Sequence, residues 1–327
     1  MQARASTSDE TNSLSTEAPR APHPTLERWA QWHQLSETLR PIVLAPEQVG
    51  EFTSAVSSAA ATLIELCRQD TDLGLFFMIH DRPDKLQNYS LLHAIHTGLL
   101  MALIGKRKDW GDVRTACGVS AALTMNLSIA QMQVEMALQT EPLNDQQKNA
   151  IHDHPKKSES LLRSLGVRDE EWLTAVLQHH EQTDGKGYPQ GLDKVSLMAD
   201  AIRTCDIFCA KISARASRHS MPTPHAAADI FRQRSAGYFG ASIIREVGLY
   251  PPGCLVSLAT GEQAVVIRRT SKPEQPDVVI IHDHDGHALT RPVRATTAVN
   301  GERAVMGVAR NQSWMSRFAP ETILAAS

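Results

Sequence analysis

The chain has 327 residues, 42% of them hydrophobic, enough to bury a substantial core as one large domain or two ordinary ones. Its 33 basic and 36 acidic side chains leave a net charge of -3 without a long Lys or Arg run, which excludes the footprint of a duplex nucleic-acid binder. Five scattered cysteines, an odd number, argue against a disulfide framework; with neither a signal-peptide pattern nor an apolar run near the roughly 20 residues that span a bilayer, the expectation is a soluble cytoplasmic protein without a membrane partner.

Residues 1–25 are mostly Ser, Thr, Ala and Pro and read as a disordered leader, because they bury too little apolar surface to offset the entropy of ordering. A helical region, 26–85, follows. Trp29, Trp32, Leu35 and Leu39 recur at three- and four-residue steps, and Arg40-Pro41 is expected to end that helix. A second helix is expected over Glu47 to Arg68, up to a break at Asp70-Thr71-Asp72. Residues 86–250 are again helical by pattern. Leu91, Ile95, Leu99 and Leu103 form one stripe, and Val113 to Leu138 reads as one long apolar stretch that closes at Glu141-Pro142. Asn144 or Asp145 caps the next helix, with Gln147 or Lys148 in its first turn. Asp169-Glu170-Glu171 starts another, which runs through Trp172, Val176 and Leu177 into His179-His180; helices over Ile202 to Ala214 and Pro224 to Gln233 close the region. Cys205 and Cys209, four apart, share one helix face as small buried side chains. From 251 to 327 the period becomes that of strands, at Leu255 to Leu258, Ala264 to Ile267 and Val278 to Ile281, with a turn at Thr260-Gly261. The fold class is therefore an all-α core with an N-terminal helical extension and a small C-terminal antiparallel β appendage.

The string His179-His180-Glu181-Gln182-Thr183-Asp184-Gly185-Lys186-Gly187-Tyr188-Pro189 presents two imidazoles and a glycine-rich loop to one small volume. It resembles the HHE…DGxGYP signature of the HD-GYP family, part of the HD superfamily of metal-dependent phosphohydrolases, at every fixed position. His93 fits that family's early His, His154-Pro155 its His-Pro, and Asp206 its downstream Asp. Arg215 and Arg218 fall where members place phosphate-contacting residues, and the segment from Gly248 through Val266 resembles the tail that follows such domains. The resemblance covers about Tyr89 to Val266.

The departure from the family lies at its centre. Where the family reads Ala-Ala-Leu-Leu-His-Asp-Ile-Gly-Lys, this chain reads Ala121-Ala122-Leu123-Thr124-Met125-Asn126-Leu127-Ser128-Ile129. Met125 replaces the dyad's His, Asn126 its Asp and Ile129 the Lys. In the family the dyad Asp bridges two metal ions. An amide brings no charge to offset their repulsion, and a thioether is a poor ligand for hard divalent ions. Tyr89 stands where trinuclear members carry a Glu. The first metal position would keep only His93 and Asp206; the second would keep His154, His179 and His180, able to hold one Fe, Mn or Zn ion.

What the resemblance implies is cyclic-di-GMP signalling by a degenerate HD-GYP protein. It would bind cyclic-di-GMP or a related nucleotide, or partner proteins, with weak or no hydrolysis. The GYP loop, Asp184, Gly185, Gly187, Tyr188 and Pro189, is the family's contact to diguanylate cyclase (GGDEF) domains. Glu181 and Asp184 are expected to orient the imidazoles or the loop. An active metal-dependent phosphodiesterase and a structural interaction module that pairs two copies into a homodimer are the alternatives. His96 shares a helix face with His93 and is a weaker candidate for an extra ligand, His152 is expected to face solvent, and the segment His282 to His287, which could bind a metal adventitiously, reads more naturally as a hairpin turn around Asp285-Gly286.

Overall fold

The computed structural model describes residues 23–80, 84–232, 238–309 and 318–327. The expected leader lies outside the described residues up to 22, and Pro24 already opens the first helix, α1 (Pro24–Leu44). That helix does not stop at Arg40-Pro41. Ile42 and Val43 are buried, so their packing outweighs the one backbone bond that the proline removes. The second helix, α2 (Phe52–Gln69), starts five residues later than expected, after a short 3-10 turn at Pro46–Gln48. The Asp70 break is also a start: its carboxylate accepts from Leu73 N and caps α3 (Thr71–Ile79), a helix so apolar that it shows no amphipathic stripe.

The next helices are α4 (Tyr89–Arg107) and α5 (Gly111–Thr124). The stretch 113–138 is not one helix: α5 ends at Thr124, a 3-10 turn covers Leu127–Ile129, and α6 runs Ala130–Leu138. Met125 and Asn126 sit in that break. Then come α7 (Asp145–Ser164), α8 (Glu170–Gln178), α9 (Leu197–Ile212), α10 (Thr223–Arg232) and α11 (Gly240–Val247). Asn144 is the cap of α7, in a reciprocal box with Gln147. Asp169 and Ser196 cap α8 and α9.

The C-terminal part adds β1 (Leu255–Leu258), β2 (Gln263–Arg268), β3 (Asp277–His282), β4 (Ala288–Thr296) and β5 (Val305–Val308), then α12 (Pro320–Ala325). They form one antiparallel sheet ordered β4-β3-β2-β1-β5. The Thr260-Gly261 turn joins β1 to β2, and Gly261 adopts φ 89, the left-handed region that glycine tolerates. Strands β4 and β5 escaped the sequence reading because polar residues such as Thr290, Arg291 and Arg294 dominate β4 and a glycine interrupts β5.

One sheet face, with Leu255, Val265, Ile267, Val279 and Ile281, joins the same hydrophobic cluster as α1–α5, α8 and α9. The opposite face carries a second cluster around Val256, Ala264, Val278 and Ile280. Asp72 on α3 accepts from Arg269 N and Nε at 3.2 and 2.5 Å, and Trp29 Nε1 donates to Glu321 at 2.8 Å. The sheet is thus tied to the N-terminal helices. No helix among the described residues is long and apolar enough to cross a membrane.

Candidate metal centre

His154 lies mid-way along α7 and is followed by Pro155. A proline has no N–H, so the carbonyl of Ile151 loses the donor that a helix normally supplies from four residues on. The His154 ring takes the vacancy: its Nδ1–H donates to Ile151 O at 2.6 Å. His179 follows the last residue of α8, where carbonyls also lack helical donors, and its Nδ1–H donates to Val176 O at 2.6 Å. Both rings therefore present an unprotonated Nε2. These two atoms face each other 3.0 Å apart, buried, with no proton of their own to share.

Burial lowers the basicity of this group. The pKa of His154 falls from 6.5 to about 3, through desolvation and the neighbouring His179. Desolvation also lowers His179, and it takes His180 well below its ordinary value, with His179 adding to the effect. Opposed lone pairs that do not take up protons fit a cation. The ligand atoms of His154, His179 and His180 all lie within 4.8 Å of one another, so the donor set fits one divalent transition ion.

His93 on α4 and Asp206 on α9 stand beside this group, and the Asp206 charge acts on all three imidazoles. The two pair with each other, His93 Nε2 to Asp206 Oδ1 at 2.7 Å. Burial raises the Asp206 pKa, but the hydrogen bond and charge of His93 outweigh it and hold the carboxyl well below its usual range. His93 Nδ1 is buried without a hydrogen-bond partner among the described residues. Tyr89 stacks on His93 with ring centroids 5.8 Å apart, and its hydroxyl accepts from Arg215 at 3.0 Å. Arg218 turns elsewhere, donating to Ala210 O and Ser213 O at the end of α9.

Met125 is 1% exposed and belongs to the hydrophobic core; Ile129 is buried and Asn126 half-buried. Their segment is held to α7 by Ser128, whose Oγ donates to His154 O at 3.1 Å and meets Ser158 Oγ at 3.0 Å. Glu181, fully buried, accepts from Gln190 N at 2.7 Å and Leu192 N at 2.9 Å, so it orders the loop and not the imidazoles. Asp184 accepts from Lys186 N within the same loop. At Gly187 a Cβ would lie 2.4 Å from Glu181 Cα, so only glycine allows the loop this approach. Replacing Glu181 by Ala leaves two amides without partners and should cost about 3 kcal/mol in urea unfolding. A loss under about 1 kcal/mol would mean that water replaces the carboxylate.

Two features had no sequence signal. Arg203, one turn before Asp206, is buried and its pKa is lowered by desolvation, while Asp200, Asp206 and Asp184 oppose that shift. His152 is exposed, as expected, and its ring also stacks on Tyr188. His96 lies outside the histidine group and packs edge-on to Phe77. Asp283 to Gly286 form the β3–β4 turn, in which Asp283 accepts from the amides of Asp285 and His287.

Residues 78–243, about half of the chain, match the family described as HD domain. The chain belongs to the HD domain family. Every residue of the histidine group lies in that domain. The chain is similar to a cyclic di-GMP phosphodiesterase of Pseudomonas aeruginosa, 27% identical over 69% of this chain and 52% of that protein. It is also similar to the 3'3'-cGAMP-specific phosphodiesterase 3 of Vibrio cholerae, 34% identical over 44% of this chain and 32% of that protein. The chain thus spans about half the length, or less, of these relatives. In fold the HD domain chain resembles an HDG"Y"P protein from Bdellovibrio bacteriovorus, with a TM-score of 0.55 and 12% identity over 70% of this chain and 73% of that one.

Proposed function

We propose that this HD-domain protein acts in cyclic-di-GMP signalling as a degenerate HD-GYP-type member that binds a cyclic dinucleotide, or partner proteins, with weak or no hydrolysis. The observation that carries the reading is the contrast within one site. His154, His179 and His180 keep a donor set for one ion, while a core methionine and an amide stand where a histidine and a bridging carboxylate would complete a second. Relatives named as cyclic di-GMP and 3'3'-cGAMP phosphodiesterases support a cyclic dinucleotide as the ligand class. A single Fe, Mn or Zn ion held by the three histidines would supply a positive charge for a phosphate oxygen.

The protein's own residues supply the rest of the pocket. Arg215 carries a fixed charge that Tyr89, a neutral phenol, orients without neutralising, leaving its other donors for phosphate oxygens. Arg218, although its side chain is held on carbonyls at the end of α9, adds its charge near Tyr89. The loop 184–189, with exposed Gly185 and Lys186, is the surface we assign to diguanylate cyclase partners.

Calorimetry with cyclic-di-GMP and added Mn(II), run beside a chromatographic assay for cleavage, tests the proposal. Binding with little or no cleavage is expected. Changing Arg215 and Arg218 together to Ala should weaken binding by more than about tenfold, or 1.4 kcal/mol. Robust turnover by the unaltered chain would make it a phosphodiesterase; absence of binding would favour an interaction module.

A further inference from the structure

Two of the three grouped imidazoles are aimed by hydrogen bonds, His154 to Ile151 O and His179 to Val176 O. The third is not. Among the described residues, no group hydrogen-bonds the His180 ring, and its neighbours are rings: His179 at 4.2 Å, Tyr188 at 4.6 Å and His154 at 5.0 Å between centroids. Tyr188 lies nearly parallel to His180, at 20°, and His152 lies on Tyr188 at 22° and 5.3 Å. Three rings from two elements therefore form one stack that runs from the protein surface to the histidine group.

We propose that His152 is a positioning residue for this group: it presses Tyr188 onto His180, so that stacking does for the third imidazole what backbone carbonyls do for the other two. The helix makes this possible. His152 and His154 are two apart on α7 and point to different sides, His154 inward and His152 over the loop. Asp153 faces the His152 ring at 3.3 Å and Lys157 at 3.5 Å, which steadies the outer ring. On the loop side Tyr188 N donates to His180 O at 3.2 Å, and Glu181 holds the two amides beyond the proline. Tyr188 is thus held by its backbone and by contacts with two near-parallel rings. Aromatic pairs of this kind add stability beyond the area they bury. Groups that orient a ligand from behind typically change metal affinity by about 10–100-fold.

The inference rests on the three histidines being a metal site. The test is titration of the full chain with Co(II), read by visible absorption and by competition with a chelator, for the unaltered protein, His152→Ala and His152→Phe. His152→Ala should bind Co(II) about tenfold more weakly, with an altered absorption envelope. His152→Phe keeps a stacking ring without nitrogen and should restore both. In the metal-free chain the Tyr188 ring-proton resonances should shift in His152→Ala and return in His152→Phe. Equal affinity of His152→Ala and the unaltered chain overturns the inference alone, as does a His152→Phe variant as weak as the alanine one. An unaltered chain that binds no Co(II) overturns the metal site as well.

Discussion

Protein purified without a chelator or a metal-binding tag is expected to hold at most one equivalent of transition metal, and His179→Ala should lose it. His179 is the pivot of the group, since its Nε2 meets His154 Nε2 at 3.0 Å and its ring lies 4.2 Å from His180. Removing it takes one of three donors and dissolves the opposed lone pairs that call for a cation. The loss should exceed the roughly 10–100-fold typical of groups that merely orient a ligand. Elemental analysis and Co(II) titration read the result, with circular dichroism to check folding. The stoichiometry of one follows from the neighbouring position, where His93 and Asp206 pair with each other and Asn126 offers no charge. Two equivalents, one of them lost in His93→Ala or Asp206→Ala, would show that the first metal position survives and that the reading of the dyad is wrong.

The second large effect is a gain. Met125→His, Asn126→Asp and Ile129→Lys together should add a second equivalent of metal and raise cyclic-di-GMP cleavage by about a hundredfold or more, some 2.7 kcal/mol of barrier. The first two changes return a nitrogen donor and an anionic bridge; the third returns a cation for phosphate. The segment is well placed to accept them, because Ser128 ties it to the turn of α7 that bears His154. Ile129 is buried, however, and a lysine there without a partner costs several kcal/mol. The double variant at Met125 and Asn126 alone is therefore made in parallel, and a lower melting temperature in the triple is expected. A folded variant with two metals that stays inert would locate the loss elsewhere in the pocket.

The helical organisation of 26–250 was legible because amphipathic stripes and polar caps are local signals. Where the structure differs the causes are also local: α3 is apolar all round, so periodicity does not mark its start, and the break after Thr124 carries no glycine or proline to announce it. β4 is half-exposed and polar and β5 is short and interrupted by a glycine, and pairing with β3 and β1 makes them strands.

The sequence by itself determined the composition of the candidate site: a histidine pair and a glycine-rich loop in one string, a His-Pro upstream, and a methionine and an asparagine where the HD-GYP resemblance leads one to expect a His-Asp dyad. Even the His154 tautomer is written locally, since the proline after it frees the carbonyl that the ring takes. Only the tertiary structure decided what these residues do to one another. His93 pairs with Asp206 across 113 residues, Arg215 reaches Tyr89 across 126, and His152 finds Tyr188 from another element. Such contacts leave no period or motif behind, because packing of α4, α7, α8 and α9 around one core brings them together and side-chain spacing along the chain does not.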